Sequence, residues 1–549
     1  MDIFCIKNYG YKWTIENNIF FKGYFILNKT LYRDLSAVNY LTSLNNYNDF
    51  IKTIKSLYGC FAIIIKKEQE VWSAVDRARS IPIYFSTDGC IVSDCAEKIR
   101  LELNINIDDV SIKNLSSLLY TQFTILNNTV YDKIKQLTLG QTLLIKNNSI
   151  KYEYYYRHVM NVKEIERSKA FNLLENKLSD VFDRIITAIN NRSVLLSLSG
   201  GYDSRLVACM LKEKGVTDVT CFTYGSSSSY EIEISKKTAQ NLGYKWYCIT
   251  YSNDDVKSIF TDENEPFFAM NNTHDYIIYL QNYIALKKLK EQNIININSV
   301  IITGLCGDKP SGVSILPQNR YSNIPLTYKG LASSYINNLF YQHKINNNIL
   351  NLYKEEIEDD VKKCDIKLDS IQNYVALKEC METAGVEARC FLQANRTHEF
   401  FGFEWLLPLW DNDYLDFWYS LPLEYKIYQN LYEDYLINNL FLKYNVAIKK
   451  IKAKRPADKI KRKRSETEIK IKYFLIGILT RISFATTIPL RRKIADQNNF
   501  SPATVLLYKK INDKKIINYK RVNFTHLLNI YLLEKRYGST ILNKIKQGK

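Results

Sequence analysis

The sequence lacks the cysteine and histidine spacings that mark metal sites and disulfide frameworks. Its 11 cysteines include no C-x-x-C pair, their number is odd, and none lies after Cys390. The five histidines are scattered without metal-ligand spacing. These absences argue against a structural zinc site and against a secreted, disulfide-stabilised protein. We therefore expect a reduced, cytoplasmic protein.

Long hydrophobic runs are also missing. The two longest runs near the end of the chain, residues 473–479 and 482–490, are separated by Arg481, and each is too short to cross a bilayer. The first residues show no basic region followed by an apolar run, so we expect no secretory signal. With 549 residues, 46% of them hydrophobic, the chain is long enough for roughly two to four folded domains.

Positive charge is concentrated at one end of the chain. The net charge is +18, yet residues 441–549 hold 28 Lys and Arg against 6 Asp and Glu, so the rest is slightly acidic. A basic segment on a near-neutral body is typical of contact with nucleic acid, an anionic membrane surface or a phosphate-rich ligand; the alternative is a solvated helical surface. The run KIKRKR at 459–464, followed by short apolar stretches, favours peripheral binding to the inner face of the membrane over nucleic acid.

Hydrophobic patterning divides the remaining chain into two parts. Up to about residue 160, short apolar runs separated by turn-forming residues predict antiparallel sheets joined by hairpins. From Ile165 onward, helical periodicity alternates with short buried strands at 194–198, 219–223, 245–250 and 300–303. This alternation predicts a parallel sheet flanked by helices. Residues after about 320 are expected to be mainly helical.

Two glycines follow the first of these strands, in the stretch Ser199-Gly200-Gly201-Tyr202-Asp203-Ser204. Glycines let the backbone approach a ligand closely, and the start of the next helix directs N–H groups and a positive dipole end into the same space. The stretch therefore predicts a phosphate site in which Ser199 and Ser204 donate hydroxyls and Asp203 holds Mg²⁺. It is neither a Walker loop nor a G-x-G-x-x-G motif. The alternative is a capped glycine turn before an ordinary helix.

A second strand ends in glycines and a carboxylate, in the stretch Thr303-Gly304-Leu305-Cys306-Gly307-Asp308. The carboxyl ends of parallel strands share one edge of the sheet, where ligands bind. We therefore expect Asp308 to complete the Mg²⁺ site with Asp203. The alternative is a solvent-exposed turn.

These motifs resemble the asparagine synthetase superfamily, whose ATP-pyrophosphatase loop (PP-loop) reads S-G-G-x-D-S. Further segments resemble the family in the same order: residues 222–225, 265–266, 303–308, 395–396, 408–411 and 420–422. The resemblance implies an α/β Rossmann-like PP-loop domain with a helical C-terminal part at 161–440, followed by a basic helical segment at 441–549. It also implies a set of residues that contact ATP or pyrophosphate: Leu198, Ser199, Gly200, Gly201, Asp203, Ser204, Tyr224, Thr303 and Gly304. Asp203 and Asp308 would bind Mg²⁺, and Lys454 would be the active-site lysine.

Residues 1–160 resemble the N-terminal glutaminase domain of that family, a class II glutamine amidotransferase. The resemblance implies an α+β Ntn-hydrolase-like sandwich. Glutaminases of this fold use a cysteine that becomes the first residue after removal of Met, but the second residue here is Asp2, and Cys5 would need the loss of four residues. We predict a degenerate domain that does not hydrolyse glutamine.

The resemblance implies an ATP-dependent, AMP-forming carbon–nitrogen ligase. A substrate carboxylate would be activated as an acyl-AMP with release of pyrophosphate, and an amine or ammonia would then form the amide. Leu305 stands where asparagine synthetases have Glu and β-lactam synthetases have Tyr, and residues 431–434 contain no counterpart of a family lysine. We therefore expect a specialised substrate rather than bulk asparagine synthesis. Two alternatives stay open: a PP-loop enzyme that modifies RNA, and a catalytically inactive binding or scaffold homologue.

Overall fold

The structure is a computed structural model. It describes residues 1–448 apart from 228, 272–273, 297, 322–323 and 342–344, together with residues 506–507, 509–512 and 524–547. Every structural statement below refers to these residues. Lys454 and the KIKRKR run at 459–464 lie outside them.

Two sheets form the N-terminal part of the protein. Their strands are β1 (Asp2–Phe4), β2 (Trp13–Glu16), β3 (Ile19–Leu27), β4 (Thr30–Arg33), β5 (Tyr58–Lys66), β6 (Glu70–Val75), β7 (Tyr84–Ser86), β8 (Ile91–Ser93), β9 (Ile134–Gln136), β10 (Gln141–Lys146) and β11 (Ser149–Tyr154). The larger sheet has the order β11-β10-β6-β5-β3-β2, with β4 also paired to β3, and the smaller has the order β1-β8-β7-β9. All pairs are antiparallel except β1 with β8. The prediction of antiparallel sheets in this region is confirmed.

Four helices cover these sheets: α1 (Asp34–Thr42), α2 (Tyr47–Ser56), α3 (Ala96–Glu102) and α4 (Ile112–Thr121). The hydrophobic patterning of the sequence did not predict these helices. In strand β5, Phe61 and Ile63 face a cluster with α1 and α2, whereas Ala62 and Ile64 face the cluster that contains Phe85 of the smaller sheet. Helix α3 packs against β7 and β8. The layers therefore follow the order helix, sheet, sheet, helix, which is that of an α+β sandwich.

A five-stranded parallel sheet forms the second part. Its strands are β12 (Val194–Ser197), β13 (Val219–Gly225), β14 (Lys245–Thr250), β15 (Val300–Ile302) and β16 (Glu404–Leu406), in the order β14-β13-β12-β15-β16. The four predicted strands are present, and β16 adds a fifth. Val194 and Leu196 face one buried cluster and Leu195 faces another, so helices bury both faces of the sheet. The strand order reverses beside β12, which places a crevice at the carboxyl ends of β12 and β15.

Helices surround the parallel sheet and dominate after residue 320, as predicted: α5 (Arg167–Ile189), α6 (Tyr202–Glu213), α7 (Tyr230–Leu242), α8 (Asn253–Ser258), α9 (Glu265–Met270), α10 (Tyr283–Glu291), α11 (Tyr328–Leu339), α12 (Asn347–Lys362), α13 (Ile371–Glu382), α14 (Asn395–Phe400), α15 (Asn412–Tyr419), α16 (Leu423–Lys426) and α17 (Asn430–Tyr435). Residues Thr383–Phe391 and Leu436–Phe441 form π-helical turns. Short 3₁₀ turns lie at Asp262–Asn264, Gln318–Arg320, Leu392–Ala394, Pro408–Trp410 and Ile427–Gln429.

A last helix, α18 (Phe524–Gln547), packs against both parts of the protein. Leu527 and Leu533 join a buried cluster with Leu119 of α4, and the Asn529 side chain donates to the carbonyl of Leu119 at 3.3 Å. The Tyr537 hydroxyl lies 2.6 Å from Nδ1 of His274. Some of the basic segment is therefore docked on the body. In the described part of the chain, no helix is both long and apolar enough to span a bilayer.

Candidate active site

A cavity of about 450 Å³ lies at the carboxyl ends of β12 and β15. It brings together most of the residues predicted to contact ATP: Leu198, Ser199, Gly201, Asp203, Ser204, Tyr224, Thr303 and Gly304, with Asp308 beside them. Gly200 is not among the lining residues, because it packs against α7, where a Cβ atom would lie 3.2 Å from the Cα of Glu231. Lys454 lies outside the described residues. The two glycine-containing strand ends, which are about 100 residues apart in the sequence, therefore form one site.

The PP-loop is held in shape by its own serines. The Ser204 hydroxyl accepts a hydrogen bond from the backbone N–H of Ser199 at 3.0 Å, and Gly201 N–H donates to the Ser199 hydroxyl at 3.1 Å. These bonds close the loop at the point where α6 begins. The first N–H groups of α6 have no partners within the helix, so this end provides donors and a positive dipole end for an anion.

Gly304 allows the second strand end to approach the loop. A Cβ atom at this position would lie 2.7 Å from the carbonyl carbon of Asp203 and 2.8 Å from the backbone nitrogen of Ser204. Both atoms belong to the backbone, which has little freedom to move aside. Glycine is therefore required here for close packing between the end of β15 and the start of α6.

Asp203 is fixed by two hydrogen bonds. Its Oδ2 accepts from the backbone N–H of Asp308 at 3.0 Å, and its Oδ1 accepts from the Tyr432 hydroxyl at 2.6 Å. Burial, together with the charge of Asp203, raises the pKa of Tyr432 well above its usual value, so the phenol stays protonated and donates. No sequence motif points to Tyr432, because residues 431–434 stand out only for the absence of a family lysine.

The two carboxylates fit a Mg²⁺ ion that is shared with phosphates. Asp203 and Asp308 line the same cavity and meet through the bond between the Asp203 carboxylate and the Asp308 N–H. Within the described ranges, no three His, Cys, Asp or Glu side chains form a metal site by themselves. Mg²⁺ is commonly held by one or two carboxylates while substrate phosphates and water supply the other ligands, so this donor set matches that kind of site.

Buried polar atoms line the other side of the cavity. Oγ1 of Thr303, Oδ1 of Asn282 and Nδ1 of His398 have no hydrogen-bond partner among the described residues. Burial lowers the pKa of His398 to about 3, and its Nε2 lies 2.7 Å from Nδ2 of Asn282. A neutral His398 that accepts at Nε2 carries its proton on Nδ1, which leaves a free donor. Because unpaired buried polar groups are rare in proteins, these atoms are candidates for ligand contacts. His398, one of the scattered histidines, therefore belongs to the cavity.

A second, smaller cavity shares a lining residue with this one. The Leu305 carbonyl accepts from Nε1 of Trp410 at 3.1 Å, and its side chain lines the first cavity. Val313 lines both cavities, and the second, of about 250 Å³, contains Glu387 from the π-helical turn. Burial raises the pKa of Glu387 to about 7. The neighbouring Cys306 thiol acts in the opposite direction and partly lowers this pKa. No sequence motif pointed to Glu387.

The N-terminal part has no exposed thiol at its first residues. Asp2 lies in β1, where its N–H donates to the carbonyl of Cys90 at 2.8 Å. Burial and the charge of Asp94 raise the pKa of Cys5, so that thiol is poorly suited to act as a nucleophile. These features agree with the prediction that the domain does not hydrolyse glutamine, which stays a prediction.

Residues 181–436 match the family model of asparagine synthase, which confirms the predicted resemblance over this part of the chain. A search of curated protein sequences finds no significant match. Among solved structures, an NH₃-dependent NAD synthetase from Campylobacter jejuni in complex with the nitrate ion is similar, with 16% identity over 41% of this chain and 96% of that chain and a TM-score of 0.20.

Two further solved structures are similar to the chain. One is the allosteric regulatory enzyme of purine biosynthesis, with 12% identity over 44% of this chain and a TM-score of 0.18. The other is glutamine phosphoribosylpyrophosphate amidotransferase from B. subtilis complexed with ADP and GMP, with 10% identity over 53% of this chain and a TM-score of 0.17. Each alignment spans 63% of the other protein's chain.

Proposed function

Because residues 181–436 form an asparagine synthase domain, we propose that the protein is an ATP-dependent ligase that joins a carboxylate to an amine or ammonia. The carboxylate attacks the α-phosphorus of ATP, giving an acyl-AMP and pyrophosphate, and the nitrogen nucleophile then displaces AMP. The observation that carries this proposal is the meeting of the PP-loop, Asp203 and Asp308 in one cavity.

In this proposal the PP-loop holds the pyrophosphate portion of ATP. Backbone N–H groups at the start of α6 and the hydroxyls of Ser199 and Ser204 donate to phosphate oxygens. Asp203 and Asp308 hold Mg²⁺, which when bound neutralises phosphate charge. The hydrogen bonds from Tyr432 and from the Asp308 N–H keep Asp203 oriented for this role. Leu198 and Tyr224 line the adenosine side, with Thr303, Asn282 and His398 as polar contacts.

We assign the active-site cation to Lys454. Support comes from Arg205, on α6 just after the loop, whose Nη1 donates to the carbonyls of Val446 and Ile448 at 2.9 and 3.0 Å. These bonds hold residues 446–448, the last described residues before Lys454, beside the cavity. Lys454 is six residues beyond Ile448, within about 20 Å of extended chain. Lys309, by contrast, is committed to ion pairs with Glu379 and Glu382.

Glu387 is the proposed base for the amine. Leu305 cannot accept a proton, whereas a buried carboxylate with a pKa of about 7 suits proton transfer at neutral pH. The C–N bond forms at the acyl carbon while the bond from that carbon to the AMP oxygen breaks and its electron pair leaves with AMP. A nitrogen that enters as an ammonium group loses two protons when it forms the amide. Glu387 takes one of these protons, and the other leaves with the AMP phosphate.

ATP–pyrophosphate exchange against a panel of carboxylates tests the proposal. We expect exchange with at least one carboxylate, and we expect Asp203→Ala to abolish it. Asp180→Ala is the matched control, because Asp180 is an exposed carboxylate on α5, away from the cavity. If no carboxylate supports exchange, the ligase proposal is wrong. If exchange survives in Asp203→Ala, the site assignment is wrong.

A further inference from the structure

Two cysteines outside the nucleotide cavity lie together near the junction of the two parts of the protein. Cys364 follows α12 and Cys380 lies on α13, and both line one small inner cavity. Cys364 is half-buried and Cys380 is buried. No motif predicts this pair, because the two residues are 16 positions apart in the sequence and show no motif spacing.

An arginine from the N-terminal part contacts the outer thiol. Nη1 of Arg157 lies 2.8 Å from Sγ of Cys364. The guanidinium is fixed, because its Nη2 donates to Oδ1 of Asp360 at 2.8 Å and its Cζ lies 3.7 Å from the centre of the Tyr154 ring. A fixed cation beside a sulfur stabilises the thiolate, which is the reactive form of cysteine.

The two thiols differ in exposure and in acidity. Cys364 lines an open groove of about 660 Å³, whereas Cys380 faces only a small inner cavity of about 40 Å³ that Cys364 also lines. The neighbouring Cys380 thiol and the charge of Arg157 lower the pKa of Cys364. The neighbouring Cys364 and burial raise the pKa of Cys380. A small reagent from the groove therefore meets Cys364 first, with Cys380 directly behind it.

We propose that Cys364 and Cys380 form a hydroperoxide-reactive dithiol, in which Cys364 attacks and Cys380 resolves. The Cys364 thiolate attacks the terminal oxygen of the hydroperoxide; an S–O bond forms, the O–O bond breaks, and an alcohol or water leaves after taking up a proton. The sulfur of Cys380 then attacks the Cys364 sulfenic acid; the S–S bond forms and water leaves with the Cys380 proton. Two thiols and one hydroperoxide thus give a disulfide, water and the reduced hydroperoxide.

The disulfide would connect the end of α12 to α13. Helix α13 also carries Glu379 and Glu382, whose carboxylates bind Lys309, the neighbour of Asp308. The dithiol is therefore linked through one helix to the residues beside the nucleotide cavity. Its reactivity does not depend on the ligase proposal, since it needs neither ATP nor a carboxylate substrate.

The test uses the reduced full-length protein and hydrogen peroxide. After treatment with one equivalent, alkylation of free thiols and digestion without reductant, mass spectrometry should find the Cys364–Cys380 linked peptide as the main product. In Cys380→Ser, dimedone should label a sulfenic acid on Cys364. Cys248→Ser, which removes another half-buried thiol, should leave the disulfide yield unchanged.

A third variant tests the role of the cation. Arg157→Gln should slow oxidation of Cys364 about tenfold at pH 7, the effect of one pKa unit on the thiolate fraction. Circular dichroism should show that these variants are folded. The proposal is overturned if the peroxide oxidises the exposed Cys90 while Cys364 and Cys380 stay reduced, or if Cys380→Ser gives no dimedone adduct on Cys364.

Discussion

The side chain of Tyr432 has one polar contact that bears on metal binding, its hydrogen bond to Asp203. Tyr432→Phe removes this bond but keeps the ring, which packs edge-on against Trp418 at 5.7 Å. A hydrogen bond to a charged group contributes about 1.5–3 kcal/mol, so we expect the Mg²⁺ concentration for half-maximal exchange to rise about tenfold or more. A Mg²⁺ titration of ATP–pyrophosphate exchange measures this.

Tyr435→Phe is the control for that variant. Tyr435 lies on the same helix, α17, and stacks on Phe171 instead of contacting Asp203. It should show the wild-type Mg²⁺ dependence. Identical titration curves for the two variants would mean that Tyr432 does not orient Asp203 for the metal.

Glu387 gives a prediction about pH. Burial disfavours its charged form, so the carboxyl group is protonated below about pH 7 and ionised above it. A base must be ionised, so amide formation should rise between pH 6 and 8 and then level off. Glu387→Gln should remove this rise and slow amide formation about 100-fold, a typical contribution of a general base, while exchange is unchanged.

The measurement compares amide product with ATP–pyrophosphate exchange in the same preparations across that pH range. Glu355→Gln, at an exposed position on α12, should leave both activities at the wild-type level. Equal loss of exchange and amide formation in Glu387→Gln would place Glu387 in adenylation or folding and would contradict its role as the base.

At the scale of single residues, the sequence could predict those residues of the candidate site that belong to one continuous stretch. Ser199, Gly201 and Asp203 lie within one loop whose chemistry is local, and all three line the cavity. Tyr432 and Glu387 reach the site from helices more than 180 residues away. Their contribution depends on how those helices pack, and no local pattern encodes that packing. The packing of Gly200 against α7 likewise depends on the fold and could not be predicted from the loop sequence, whereas its predicted contact with ATP stays a prediction.

Among the elements, the junction between β15 and α6 depends most on a single residue, Gly304. Gly304→Ala places a methyl group against the backbone of Asp203 and Ser204, so the loop must shift. Overpacking of this kind costs about 1–3 kcal/mol, and we expect ATP affinity to fall at least about tenfold. Titration calorimetry with ATP and Mg²⁺ measures the affinity.

Gly215→Ala tests whether the loss of a glycine's backbone freedom alone can explain a fall in ATP affinity. Gly215 follows the other end of α6, with φ at +75° and no atom within 4 Å of a Cβ. This variant should lower the melting temperature and keep the wild-type ATP affinity. An equal loss of affinity in both variants would refute the argument from close packing at Gly304.

The helices and strands that the sequence predicted are those with strong local signals. Strand β14 was predicted at 245–250 and has the bounds Lys245–Thr250. Strand β16 has only three residues, and its place in the sheet comes from pairing with β15 across about 100 residues. Glu265 and Pro266, in a segment that resembles the family, begin α9, where proline is tolerated in the first helical turn.

At the scale of the whole molecule, buried ion pairs join the two parts. Lys22 of β3 pairs with Glu399 of α14 at 2.6 Å, and Arg79 pairs with Asp275 at 3.0 Å, with all four side chains almost fully buried. A buried charge that loses its partner is costly. Helix α18 adds a contact at the same junction. Its Tyr537 hydroxyl hydrogen bonds with Nδ1 of His274, and Nε2 of His274 lies 2.6 Å from the carboxylate of Glu97 on α3. The N-terminal part is therefore fixed to the part that holds the parallel sheet, even if it hydrolyses no glutamine.

The docked helix changes how the basic segment should be tested for membrane binding. Deleting residues 459–549 would remove α18 and uncover the apolar surface that Leu527 and Leu533 bury. Changing Lys459, Lys461, Arg462, Lys463 and Arg464 to Gln removes the concentrated charge and retains α18. Each basic residue near an anionic membrane contributes about 1 kcal/mol, so partitioning onto phosphatidylserine vesicles should weaken at least about a hundredfold.

A second variant with the same change in net charge separates local from overall attraction. It carries Gln at five exposed lysines of the body: Lys12, Lys29, Lys52, Lys245 and Lys329. Because electrostatic attraction to the surface falls off within about 10 Å at physiological salt, this variant should bind almost as well as wild type. Cosedimentation with phosphatidylserine and phosphatidylcholine vesicles measures both. If neutralising residues 459–464 leaves binding unchanged, the basic segment does not bind membranes and its charge serves the nucleotide or solvent instead.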